Sequence, residues 1–264
     1  MKQASGLLKL LMPILSAVYG VAVIYMTALP LSGDHSGFGY ELLTWLITLV
    51  GIALSLYLVH RVEPKVFPSA SDFSLKLPPT NVFVGLLLIA PLLLVTEGYL
   101  VYGITSLSHT IELEPMTYTT DELQEDLQSS VHAVLLAPIL EELCFRQMAI
   151  SPFRRRRTQI FVCVVMALLF GVLHVRNFPG AFLSAMVYGL VFIWSGSIWC
   201  SVALHAGRNL TATLIAVYSW LQLGDIQMTK TPVIILPDMK IVIAGVILAV
   251  AGGYLLTRKR NKLS

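Results

Sequence analysis

Apolar runs dominate this sequence and limit how it can fold before any motif is read. Eight runs of about 14–24 residues alternate with polar turns between about Leu10 and Leu256, and a helix needs about 20 apolar residues to cross hydrocarbon. Only 12% of the residues are charged and 56% are hydrophobic, whereas a soluble domain carries about 25% charged residues. The expected fold is all-α: a polytopic membrane helix bundle of about eight transmembrane helices, forming one integral domain over residues 1–264. Cys144, Cys163 and Cys200 lie in apolar runs and form no C-x-x-C. They read as small buried hydrophobes rather than a disulfide framework or a zinc knuckle.

The first span runs from about Leu10 to Leu29, too long for a signal-peptide core. The second covers about Glu41 to Val59, and the third about Val82 to Tyr102, with Pro91 as an expected kink. Glu97, late in the third span, is expected at the interface. The stretch from Ile104 to Gln128 is polar and holds Glu112, Glu114, Asp121, Glu122, Glu125 and Asp126 but no Lys or Arg. Within it, Thr119-Thr-Asp-Glu122 has the N-terminal pattern of a short surface helix. The fourth span covers about Ser129 to Pro152, the fifth Thr158 to Val175, the sixth Ala181 to Trp194 and the seventh Ile198 to Leu221. A polar loop to about Lys230 leads to the last span, within Val233 to Leu256.

Basic residues orient these spans. With the N-terminus inside, Lys2, Lys9, Arg61, Lys65, Lys76, Arg154 to Arg157, Arg258, Lys259, Arg260 and Lys262 all face the cytoplasm. The other side receives only Arg176, Lys230 and Lys240, and Arg146 and Arg208 lie inside spans. This strong positive-inside bias places both termini in the cytoplasm and the acidic 104–128 stretch outside. The expected location is the cell membrane, with multiple passes. Beside a span, Arg154 to Arg157 reads as a topology and anionic-lipid anchor, so no nucleic-acid partner is expected.

The fourth span breaks the apolar rule. Glu141, Glu142 and Arg146 lie in it, and each charge near a bilayer centre costs at least about 2.5–3.5 kcal/mol on insertion scales. Glu142 and Arg146 are spaced i,i+4 with the acid first, so they can pair on one helix face. Glu141 lies about 100° round the helix without a partner in its own span. Such a carboxylate is either protonated or served by another helix.

Two other spans carry polar groups. The fifth ends in Phe170-Gly-Val-Leu-His174, and the seventh contains His205-Ala-Gly-Arg-Asn209. Each i,i+4 pair shares a helix face, and intramembrane ionisable residues face the bundle interior or a wet cavity. Glu141, His174, His205 and Asn209 are therefore expected to converge, with residues 129–221 as a core of spans four to seven. A glutamate that takes a proton from water and His or Asn donors to an oxyanion suffice for hydrolysis. A proton-coupled transporter would show similar residues. Glu141, His174 and His205 would also suit a divalent metal such as zinc, although the helical H-E-x-x-H pattern is absent. A single intramembrane His is more often a structural hydrogen-bonding group, and Glu142 with Arg146 alone would be structural.

The three motifs, in this order on successive spans, resemble those of the CPBP family, which comprises CAAX prenyl endopeptidases and bacteriocin-processing or Abi-type intramembrane proteases. The resemblance covers about Val131 to Ala216. It implies an intramembrane endopeptidase acting on a membrane-embedded or membrane-associated protein or peptide in the lipid bilayer. It further implies Glu141 as general base with His174 as its partner, and His205 with Asn209 as the oxyanion site. Glu142, Arg146 and Phe170 would support them. A non-catalytic regulator or immunity protein of the same fold is the alternative. At 1.5 Å per residue, Glu141 and His205 lie about 13 Å from the cytoplasmic end of their spans and His174 about 24 Å. Convergence therefore calls for a late start to the fifth span, a tilt, or helices broken around a cavity.

Reporter fusions after Ser36 and after Thr120 are expected to report outside, and one after Arg157 inside. An inside signal at Thr120 would overturn the placement of the acidic stretch.

Overall fold

A computed structural model of the protein describes residues 11–22, 77–107, 113–117, 130–174, 177–223, 225–229 and 239–257, with isolated positions at 46–57 and 127. Its helices are α1 (Leu11–Ala22), α2 (Thr80–Ser106), α3 (130–150), α4 (Arg156–Leu173), α5 (Phe178–Ser195), α6 (Ile198–Leu223) and α7 (Met239–Thr257). The described positions among 46–57 are helical as well. Helices α2 to α7 fall on expected spans three to eight. Among the described residues, four helices, α2, α4, α5 and α7, are long and apolar enough to cross a membrane. The chain is an all-α bundle and an integral membrane protein.

One feature departs from an all-helical reading. Leu113–Thr117 (β1) pairs antiparallel with Asp225–Thr229 (β2), Leu113 opposite Thr229 and Thr117 opposite Asp225. Both segments were expected to be polar loop. They follow α2 and α6, which pack together, so the two chains leave the bundle side by side and can share backbone hydrogen bonds. The pairing is consistent with both segments lying on one side of the membrane, as the alternation of spans has them. The surface helix expected at Thr119–Glu122 and the basic tail lie outside the described residues.

Helix α3 is not a uniform α-helix. A π-helical segment at His132–Leu136 precedes an α-helical turn at Ala137–Glu142, and a second π segment follows at Leu143–Met148. Pro138 explains the first. It lacks an N–H, and its ring would crowd the carbonyl four residues back, so the turn before it widens. The backbone N–H of Ala137 reaches back five residues to the carbonyl of His132. The carbonyl of Ala133 would then look to residue 138 for its donor, and that residue is the proline.

Small residues bring the helices close, the usual device where lipid removes the hydrophobic drive for association. Helix α7 packs on α2. A Cβ on Gly85 would lie 2.9 Å from the carbonyl oxygen of Gly252, and one on Gly252 would meet the carbonyl of Gly85 at 2.5 Å. Helix α6 approaches α2 through Gly207, where a Cβ would stand 2.8 Å from that of Ala90. The largest core cluster lies among α3, α4 and α5 and includes Phe145, Met148, Cys163, Met166, Phe170 and Phe192. Met12 of α1 joins it, and Ser16 of α1 donates to the carbonyl of Cys144 at 2.5 Å in the second π segment.

Gly252→Val is expected to force α7 away from α2 and to cost about 1–3 kcal/mol, as overpacking does. A lowered melting temperature of the detergent-purified protein would register this, and an unchanged one would show that the helices can separate freely there.

Candidate active site

The deepest part of the site is a charge cluster around Glu142, which is fully buried. Arg146, one turn on, places Nη1 3.0 Å from Glu142 Oε1. His205 Nδ1 lies 2.9 Å from the same oxygen, and Ser201 Oγ donates to Oε2. An ionised carboxylate only accepts hydrogen bonds, so the His205 Nδ1 carries a proton toward it. Arg146 also donates through Nη2 to the carbonyl of Ala185 at 2.9 Å. Its guanidinium lies 5.5 Å from the ring centroids of both Phe170 and Tyr188. The i,i+4 pair expected between Glu142 and Arg146 is present, and it ties α3 to α5 and α6.

Glu141 also finds its partner on another helix. His205 Nε2 stands 3.7 Å from Glu141 Oε2, too long for a direct hydrogen bond but a span that one bridging oxygen can close. The His205 ring is clamped between these two carboxylates and stacks on Tyr188 at 4.4 Å. Tyr188 is itself buried and was not singled out from the sequence.

His174 is placed differently. It caps the C-terminus of α4. Its Nδ1 is 2.8 Å from the carbonyl of Phe170, and its ring stacks on that of Phe170 at 4.3 Å. The Phe170 ring is in turn 6.2 Å from that of His205. The Phe170 ring thus contacts both histidine rings, and His205 is the imidazole found within 4 Å of a Glu141 oxygen among the described residues.

Asn209, one turn beyond His205, has its amide oriented by two neighbours. Arg208 Nη1 donates to Asn209 Oδ1 at 3.4 Å, and Asn209 Nδ2 donates to the carbonyl of Ala133 at 2.8 Å. A guanidinium has only donors and a carbonyl only accepts, so the amide cannot be turned round. The acceptor is the carbonyl that Pro138 and the π turn leave without a helical donor. One Nδ2 hydrogen remains free of these bonds.

Glu141, Phe170, His174, His205 and Asn209 all line one cavity of about 220 Å³. Among the described residues, no three of His, Cys, Asp and Glu gather closely enough to hold a metal ion.

Glu97 corrects the interfacial expectation. It is only 5% exposed. Arg208 grips it with Nη2 2.7 Å from Oε1 and Nε 3.2 Å from Oε2. Ser184 Oγ donates to Oε2 at 2.5 Å. Gly180, in the first turn of α5, leaves room for the carboxylate, which a Cβ there would strike. A helix N-terminus is a favourable place for negative charge. Arg208 and Ser184 line the cavity, so this pair forms its wall. The sequence carried a signal for it: one acid in the third span and one arginine in the seventh, neither with an opposite charge on its own helix.

Residues 124–211 match the model of the family described as type II CAAX prenyl endopeptidase Rce1-like. That third of the chain is similar to the family. The matched segment contains all three motifs and runs from just before α3 into α6. No curated protein and no solved structure matches the chain.

Glu97→Leu strips Arg208 of its counter-charge and is expected to cost about 3–5 kcal/mol, as breaking a buried pair does. Replacing both partners, Glu97→Leu with Arg208→Met, should recover most of that loss. Melting of the wild type, Glu97→Leu, Arg208→Met and the double variant in one detergent checks this, and additive losses in the double variant would show that the two residues do not act as a pair.

Proposed function

We propose that this protein is an intramembrane endopeptidase that hydrolyses a peptide bond of a membrane-associated protein or peptide with a water activated by Glu141. The observation that carries this reading is the lining of one cavity by Glu141, His174, His205 and Asn209. The match to a family described as prenyl endopeptidases supports it.

The 3.7 Å gap between Glu141 and His205 Nε2 suits a water that hydrogen-bonds to both. With Nδ1–H donated to Glu142, the neutral His205 ring presents Nε2 as an acceptor. A water donating to two acceptors turns its lone pairs outward, toward a substrate carbonyl. Glu141 takes one proton as the water oxygen bonds to the carbonyl carbon. The remaining Nδ2–H of Asn209 is available to the oxyanion. When the C–N bond breaks, Glu141 returns the proton to the leaving amine. His205 thus acts on the water, whereas the family resemblance puts it on the oxyanion side. His174, stacked on Phe170, forms the cavity wall. No step is routed through a metal, since among the described residues no three His, Cys, Asp or Glu side chains gather closely enough to hold one.

Glu141→Gln keeps shape and hydrogen bonding but removes the base. It should fold normally and lose turnover by at least about 10²-fold. Asn209→Ala should cost about 10²–10³, and His205→Ala should be more damaging than His174→Ala. A prenylated peptide ending in a CAAX sequence is a first fluorogenic probe for the detergent-purified protein, followed by peptides that accumulate in cells lacking it. Turnover should survive a chelator; loss that zinc reverses would replace the metal-free base with a metal site. Full activity of a folded Glu141→Gln protein would sink the hydrolytic reading.

A further inference from the structure

Glu97 and Arg208 make an ion pair that the hydrolytic steps leave unused. Glu97 lies on α2, outside residues 124–211, so the matched motifs say nothing about it. Its position is nevertheless tightly set. Ser184 of α5 donates to Oε2 at 2.5 Å, and Gly180 stands where any Cβ would strike Oε1. Close packing of α2 on α6 brings the acid to Arg208. A Cβ on Gly207 would stand 2.8 Å from that of Ala90, and Ala90 is about two turns before Glu97 on the same helix face.

The way Arg208 holds Glu97 decides where its third nitrogen goes. Nε and Nη2 share one edge of the planar guanidinium, and both donate to the carboxylate, at 3.2 and 2.7 Å. A rigid fork held at two points is fixed in orientation. Nη1 is the nitrogen left over, and it stands 3.4 Å from Asn209 Oδ1. The other contact of this amide is at Nδ2, 2.8 Å from the carbonyl of Ala133. With that bond alone, the amide could pivot about the N–H···O line, and the second Nδ2–H would sweep a cone. A contact at Oδ1 fixes the plane as well, and with it the direction of the remaining N–H. That direction matters because a donor stabilises an oxyanion only when aimed at the place where it forms. A misplacement of about 1 Å can cost about 10²-fold in rate.

We infer that Glu97 and Arg208 are positioning residues of the reaction: Glu97 pins the guanidinium, Arg208 sets the plane of the Asn209 amide, and the remaining Nδ2–H is thereby aimed into the cavity. A helix outside the motif-bearing spans thus acts on the site, through contacts that run from α2 to α6 and on to the irregular turn of α3. The inference rests on the hydrolytic reading for the role of that N–H, whereas the ordering of the amide is a property of the resting protein.

Arg208→Lys separates the charge from the fork. An ammonium still neutralises Glu97, but a single point charge cannot both hold the carboxylate and aim a second nitrogen at Asn209. Melting near wild type is expected, with kcat on the prenylated CAAX peptide lowered by about 10–10²-fold and KM little changed, as for an interaction realised in the transition state. Glu97→Gln offers one acceptor to two donors; it should act alike and serves if the lysine variant misfolds. In an Asn209→Ala background neither change should slow turnover further, whereas losses that multiply would place their action elsewhere and overturn the inference. Wild-type kcat in both single variants would overturn it too.

A second readout needs no turnover. The chain has four asparagines, Asn81, Asn177, Asn209 and Asn261, so heavy-nitrogen labelling of asparagine gives four side-chain amide signals, and the one lost in Asn209→Ala belongs to Asn209. Glu97→Gln reaches that amide through Arg208, and it is expected to lower the order parameter of the Asn209 signal while leaving that of Asn81 in place. An Asn209 amide as rigid as in the wild type would overturn the inference whatever the kinetics. A loosened amide in a protein whose wild type hydrolyses no peptide would uphold the ordering and count against the hydrolytic reading instead.

Discussion

The negative charge of Glu142 is the constraint around which the core is arranged. It has no exposure to solvent, and an ion there is tolerated only with a compensating charge and its lone pairs occupied. Arg146 supplies the charge, and His205 and Ser201 occupy the oxygens. Arg146 in turn holds the Ala185 carbonyl and lies against Phe170 and Tyr188. One carboxylate thereby fixes contacts among α3, α4, α5 and α6. Its chemical consequence is the orientation of His205, whose proton is committed to Glu142 and whose other nitrogen is turned to Glu141. Glu142 and Arg146 position the site without lining the cavity.

Much of this was legible because the hydrocarbon environment makes polar residues conspicuous. Spans three to eight follow from run length, and the Glu142–Arg146 pair follows from i,i+4 spacing. The membership of Glu141, His174, His205 and Asn209 in one cavity follows from the rule that intramembrane polar groups face inward. The pairing across helices was not legible. Periodicity assigns a residue to a face but does not say which helix that face meets, so Glu97 read as interfacial although Arg208 waited on α6. The β1–β2 pair escaped for a related reason. Asp225–Thr229 does alternate polar and apolar residues as a strand can, but its partner Leu113–Thr117 carries no such alternation, and the two are brought together only by the adjacency of α2 and α6.

The apparent mismatch in depth also resolves physically. Glu141 and His205 sit near mid-bundle and His174 higher, and the structure does not force them to one level. The cavity runs along the helices, so all three line it together with Phe170. Convergence on a cavity is a weaker condition than convergence on a point, and spacing along a sequence tests only the weaker one.

Pro138 links the irregularity of α3 to the chemistry. A proline inside a helix removes one donor and displaces the turn before it, which in hydrocarbon leaves a carbonyl that water cannot serve. Here the orphaned carbonyl is that of Ala133, and its donor is Asn209 Nδ2. The defect is therefore satisfied by the side chain that the hydrolytic reading needs held in one orientation, with Arg208 excluding the flipped amide from the other side. The energy otherwise lost to an unsatisfied group becomes orientation of a donor. This gives a physical reason for an irregular helix at this depth: a regular α-turn at Ala133 would satisfy its own carbonyl and leave Asn209 free to turn away.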